Sequence, residues 1–159
     1  MPIVRKAELK DYEQVLRLKR QVHALHANAC PDFYKNSDLP LTKRQYEMDL
    51  HNDMVEVYVL SRDRDVLGYA VASTRIVIDH PLVVTQKIMY IEDFCIDQQH
   101  QSRGLGTLFF RGIEEQARED GYTSIELDVW EFNQAAQMFY KKMGMECCRL
   151  RLRKQLKNP

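Results

Sequence analysis

From Asp97 to Gly106 the chain reads Asp-Gln-Gln-His-Gln-Ser-Arg-Gly-Leu-Gly, between a strand-like run, Ile88 to Ile96, and the start of an amphipathic segment. A loop of this composition suits an anion. Gly104 and Gly106 allow the backbone to approach a ligand closely, and a helix beginning there directs unpaired N–H groups and its positive dipole end into the loop. The expected guest is a phosphate. A Walker-type loop would need Gly-Lys-Ser/Thr at its end, whereas Thr107 and Leu108 follow Gly106, so a nucleoside triphosphate is not expected. A dinucleotide fingerprint would need a third glycine where Phe109 stands, which argues against NAD.

The elements that must position this loop can be read from periodicity and breakers. Pro2 to Ala7 is a short first strand, and Leu9, Tyr12, Leu16, Lys19 and Val22 to Leu25 give a helical repeat that should stop before Pro31. Cys30 to Leu41 is rich in turn residues, and Thr42 to about Asn52 reads as a second helix capped by Thr42. Met54 to Ser61 and Val66 to Val77 are strands joined by a turn at Arg62-Asp63-Arg64-Asp65. Asp79 to Lys87 is a loop, followed by the strand that ends at the glycine loop. Leu105, Leu108, Phe109, Gly112, Ile113 and Ala117 line one helical face, with Gly121 closing that helix. Ser124 to Val129 is a strand, Asn133 to Met143 a short helix ended by Gly144, and Met145 to Arg153 a last strand. The order predicts one α+β domain over residues 1–159, with a mixed sheet flanked by helices.

The glycine loop resembles the acetyl-coenzyme A loop of the GNAT superfamily of N-acetyltransferases, Gln/Arg-x-x-Gly-x-Gly/Ala, here Gln101, Gly104 and Gly106. A second segment, Asp128-Val129-Trp130-Glu131-Phe132-Asn133 through Ala136, Phe139, Tyr140 and Gly144, is similar to the family at the expected distance. The resemblance is good from Tyr90 to Gly144; before that only the order of elements matches, and that order is also the GNAT one. It implies acetyl-coenzyme A as co-substrate. Its pyrophosphate would lie on Gln101, Ser102, Arg103, Gly104, Leu105, Gly106 and Thr107, its acetyl and pantetheine parts along Phe94, Cys95 and Ile96, and Asn133 would touch the pantetheine arm. Because the loop grips the coenzyme and not the acyl chain, a larger acyl donor also fits.

Acetyl transfer from a thioester to an amine requires a neutral amine, a stabilised carbonyl oxygen and a protonated leaving thiolate. The resemblance makes Tyr140 the acid, since related enzymes carry a tyrosine seven residues after the helix-opening asparagine. Tyr140 also lies on an apolar stripe with Ala136, Phe139 and Met143, which alone would bury it. For the base, Glu92 and Asp93 are neighbours on the strand entering the loop, and alternation sends them to opposite faces. Glu92 is favoured, sharing parity with Tyr90 and Phe94, and family members often carry a glutamate base there. Asp128, five residues before Asn133, is the competing base. Ordinary salt bridges would explain any of these carboxylates equally well. Cys95 has no histidine relay apparent beside it, so direct transfer is expected rather than an acetyl-enzyme.

His23 and His26 share a helical face with Cys30 and Asp32 following, but the spacing is no recognised ligand pattern and no metal is expected. The chain has 23 basic and 23 acidic residues among 159, so no global field attracts nucleic acid or anionic lipid. Arg149, Arg151 and Arg153 alternate with Leu150 and Leu152, as a half-buried strand with a solvated face would. No apolar run approaches the ~20 residues that span a bilayer. Four cysteines without a Cys-x-x-Cys suit a reducing cytoplasm. The expectation is a cytoplasmic, acetyl-coenzyme A-dependent N-acetyltransferase acting on a primary amine, of a small molecule rather than a protein, with the last strand suited to pair across a homodimer. The alternative is a non-catalytic module that senses acetyl-coenzyme A.

Overall fold

The computed structural model describes residues 1–101 and 104–156. Two compact units make up the chain, Met1–Asp128 and Val129–Pro159. In the first, a five-stranded sheet runs in the order β1 (Ile3–Lys6), β2 (Val55–Arg62), β3 (Asp65–Val77), β4 (Gln86–Ile96) and β5 (Ser124–Leu127). The first three pairings are antiparallel, and β4 pairs with β5 in parallel. Among the described residues of this unit are three α-helices, α1 (Tyr12–Ala29), α2 (Lys43–Leu50) and α3 (Leu105–Glu119), and two short 3-10 turns. This is an α+β fold with a mixed sheet.

Local chemistry accounts for the elements. The β2–β3 hairpin turns in two residues, with Asp63 at φ 56°, a left-handed conformation that aspartate tolerates better than most residues. Thr42 caps α2 by accepting from the Gln45 N–H at 3.1 Å. Cys30 ends α1 one residue before Pro31, and Gly121, at φ 75°, follows the end of α3.

Strand alternation divides the core between the two faces of the sheet. On one face, Tyr12, Val15, Leu16 and Leu18 of α1 and Tyr46 of α2 bury Val57, Val59, Val66, Tyr69 and Cys95. The opposite face carries Val4, paired beside Leu60, and meets α3 so closely that a Cβ on Gly112 would lie 2.5 Å from Val4. Phe109, Phe110, Ile113 and Ala117 of α3 are buried there. Two of the three tyrosine hydroxyls donate to backbone carbonyls, Tyr12 to Leu41 and Tyr46 to Glu8, each at 3.0 Å.

In the second unit, Asn133 caps α4 (Gln134–Lys142) by accepting from the Ala136 N–H at 3.1 Å, and Gly144 at φ 88° reverses the chain. The predicted last strand, Met145 to Arg153, does not form. Alternating arginine and leucine favour a pleated, half-buried surface, but a strand exists only through a ladder with a neighbour. Among the described residues, that segment is part of no ladder. Leu150 and Leu152 are 83% and 90% exposed.

Candidate active site

The largest departure from the expected geometry is at Glu92. Val71 pairs with Asp93 and Ala72 with Ile91, so Glu92 is an extra residue in β4, a β-bulge. Alternation is broken there, and Glu92 and Asp93 do not point to opposite faces. Glu92 accepts a hydrogen bond from Ser73 Oγ at 2.7 Å and lies 3.8 Å from Arg75. Asp93 accepts from Lys19 Nζ of α1 at 2.5 Å. Ser73, Arg75 and Val71 alternate along the same side of β3, so both carboxylates lie on the α1 face. Glu92 keeps parity with Tyr90 but not with Phe94, which turns to the other face and stacks on Phe109 at 5.2 Å.

The pairing of β4 with β5 stops just before the bulge, where β5 itself ends. That ladder runs from Ile88–Ser124 to Ile91–Leu127 and stops. Beyond it Phe94, Cys95 and Ile96 pair with β3 through Ala70, Tyr69 and Gly68 on their other side. A backbone edge thus runs from the bulge towards the glycine loop. The loop begins firmly. Burial alone would raise the Asp97 carboxyl, but Arg17 at 2.6 Å, the Gln99 N–H and Gln21 hold it below its ordinary range. Gln101 Nε2 reaches back to the Ile96 carbonyl at 3.3 Å.

Gly104, at φ 74°, is the N-cap of α3, and an added Cβ would meet nothing within 4 Å. Its glycine is required by conformation rather than by space. Leu105, Gly106 and Thr107 form the first helical turn, which holds no acidic side chain, so its amide dipoles are unopposed. Ser102 and Arg103 lie outside the described residues.

Tyr90 belongs to the same polar face as Glu92. The Arg75 guanidinium covers its ring at 3.3 Å. Burial and the neighbouring Asp128 carboxylate push its hydroxyl up to about 12, so it stays protonated. Cys95 is buried, and burial, with Asp93 and Asp97 nearby, pushes its thiol up to about 12, which removes its nucleophilic form at neutral pH. In the second unit Tyr140 is half-buried, its ring tilted edge-on to Phe139 at 5.2 Å, and Trp130 and Phe132 stack at 6.4 Å.

Ser73, Arg75 and Lys19, which hold the carboxylates, were not singled out from the sequence. A polar pair at the end of an otherwise apolar strand, Ser73 and Arg75, is the signal that could have found two of them. Lys19 becomes a partner of Asp93 only when α1 packs on the sheet. His23 and His26 lie around Tyr34: His26 stacks on its ring at 5.4 Å and His23 bonds the Lys35 carbonyl at 2.7 Å.

A family model, Acetyltransferase (GNAT) family, matches residues 20–145. The chain belongs to the GNAT acetyltransferase family, whose N-acetyltransferases use acetyl-coenzyme A as co-substrate. The N-acetyltransferase YdgE of Bacillus subtilis (strain 168), itself uncharacterized, is 35% identical over 71 residues, 45% of each chain. The match thus spans about half the length of that relative. A crystal structure of the F44R mutant of the BH1408 protein from Bacillus halodurans is similar at a TM-score of 0.92 and 29% identity, covering 98% of this chain and 99% of that one. The aminoglycoside N-acetyltransferase AAC(6')-Iy, solved with CoA, shares the fold at a TM-score of 0.72 and 14% identity, covering 98% and 100%. Among the described residues, no helix is long and apolar enough to cross a membrane.

Proposed function

We propose that residues 1–159 act as one acetyltransferase domain, transferring acetyl from acetyl-coenzyme A to the primary amine of a small cationic molecule. The observation that carries this reading is the parting of β4 from β5 at Glu92, which offers the Phe94–Ile96 backbone to a bound chain and leads to the α3 amides. Glu92 takes the proton from the substrate ammonium, directly or through water. The Phe94–Ile96 amides receive the carbonyl oxygen as charge develops. Tyr140 returns a proton to the departing sulfur, and Asn133 steadies the pantetheine arm.

Glu92 is favoured over the other carboxylates because Asp93 is closely paired with Lys19, whereas Glu92 is about half exposed and its arginine contact is long. Asp128 is the second base candidate. The acceptor reading rests on the carboxylates of Glu92 and Asp128, which suit a cation, and on a fold neighbour that acts on aminoglycosides. Four free thiols suit a cytoplasmic site of action.

Calorimetric titration of acetyl-coenzyme A into the wild type, Gly104→Ala and Gly104→Glu tests the cofactor site. Both variants carry the same positive-φ strain of about 1–2 kcal/mol, and only the glutamate adds negative charge at the phosphates. Saturable binding by the wild type and the alanine variant, lost in the glutamate variant, is expected, followed by thiol release when cationic amines are supplied. No binding by any of the three would overturn the reading, and binding without thiol release for any amine would favour a sensor.

A further inference from the structure

α1 packs over the carboxylate face and also reaches the start of the glycine loop. Arg17 donates from Nη1 to Asp97 Oδ2 at 2.6 Å and from Nη2 to the Val66 carbonyl at 3.3 Å. Gln21, one turn further along α1, donates from Nε2 to Asp97 Oδ1 at 3.4 Å, and its side-chain oxygen accepts from the Gln98 N–H at 3.2 Å. Asp97 passes this hold along the chain. Its Oδ1 accepts from the Gln99 N–H at 3.1 Å, its carbonyl accepts from the His100 N–H at 2.8 Å, and its own N–H donates to the Leu67 carbonyl at 2.8 Å.

The amides of Asp97, Gln98, Gln99 and His100 are thus all engaged within the protein, so this stretch is the footing of the loop and not its ligand shell. The donors for an anion come later, at the first turn of α3, Leu105, Gly106 and Thr107. Charge makes the same distinction. Asp97 is buried, a fixed negative charge in a segment that has to receive phosphates. Unpaired, it would repel them and would be costly to bury. Its counter-charge comes from another element, 80 residues away in sequence.

We infer that Arg17 and Gln21 are positioning residues for the phosphates of the coenzyme: acting through Asp97, they fix the footing of the loop and cancel its charge without touching the ligand. This rests on the reading of the loop as the coenzyme A site. It also seats both halves of the site on one helix, since α1 carries Lys19 to Asp93 beside Glu92.

Calorimetric titration of acetyl-coenzyme A into the wild type, Arg17→Met, Gln21→Leu and Arg17→Met/Asp97→Asn, with hydrogen exchange on each, tests this. Arg17→Met should bind about tenfold more weakly. Its exchange should quicken at the Gln98, Gln99 and His100 amides and stay unchanged in β1, β2 and α2. The added Asp97→Asn keeps an acceptor for the Gln99 N–H and removes the charge left unpaired, so the double variant should return to within about threefold of the wild type. Gln21→Leu, which alters no charge, should bind about threefold more weakly and free the Gln98 amide. Wild-type affinity in Arg17→Met, or in Gln21→Leu if the first does not fold, overturns the inference. So does exchange that quickens across the whole sheet, the mark of a role in the fold alone. A double variant as weak as Arg17→Met overturns it as well, because Arg17 would then touch the phosphates itself. A wild type that binds no acetyl-coenzyme A brings down the cofactor reading and this inference together, whereas tight binding by every protein sinks the inference alone.

Discussion

Glu92 shows how one inserted residue decides which carboxylates share a face. Its Oε1 is held by Ser73 at 2.7 Å, close enough to fix the side chain but leaving it half in solvent, where an amine can reach it. Asp93 is nearly as close to the site in sequence but is paired with Lys19. A general base contributes about 10²–10⁴-fold to rate. Glu92→Gln should therefore lower kcat/KM for the amine by about 10²–10⁴-fold, with calorimetric affinity for acetyl-coenzyme A unchanged. A fall of that size in Asp128→Asn, with Glu92→Gln near wild type in a thiol-release assay, would reassign the base. The residue types were legible from the sequence. Their orientation was not, because alternation assumes an unbroken ladder and the bulge arises from how β3 and β4 align.

At the scale of elements, the end of β4 is held by a close approach. Gly68 of β3 pairs with Ile96, and a Cβ there would lie 2.7 Å from the Cys95 carbonyl oxygen and 2.7 Å from the Ile96 side chain. A carbonyl within a ladder cannot move without breaking its pairing. Gly68→Ala should cost about 1–3 kcal/mol in urea unfolding. It should also weaken acetyl-coenzyme A binding, since the displaced strand carries the proposed cofactor edge. Wild-type stability in this variant would show that the contact yields and that β4 is less constrained than the packing implies. Helices and strands up to α4 follow turn residues, caps and periodicity, so they were readable. The last strand was not, because propensity describes a segment whereas pairing needs a partner.

For the molecule as a whole, buried ionisable groups set how stability depends on pH. Burial holds His26 below its ordinary value, with Lys19 and His23 acting in the same sense and Asp93 opposing. The unfolded chain therefore binds that proton more readily, and stability should decline as pH falls below about 6.5. Asp11 and Asp97 behave as depressed carboxylates: burial opposes ionisation, but hydrogen bonds from Arg5 and Arg17 outweigh it. Their contribution is complete above the unfolded value of about 3.9 and is lost as pH falls through the lower folded values. Urea unfolding from pH 8 to pH 3 should show both declines, and His26→Gln should remove only the first. A wild-type profile that is flat between pH 7 and pH 5 would contradict the histidine assignment.

By itself the sequence determined the class of protein: Gln101, Gly104 and Gly106 at a helix start, and Asn133 followed seven residues later by Tyr140, are local patterns whose meaning travels with the chain. It determined the α+β order of elements for the same reason, since caps, breakers and periods act over a few residues. Only the tertiary structure decided that Glu92 and Asp93 share a face, that Lys19 occupies Asp93, and that Met145 to Arg153 joins no ladder among the described residues. Each of those depends on groups distant in sequence meeting in space, through a ladder register or a packed helix, and no window of neighbouring residues contains that information.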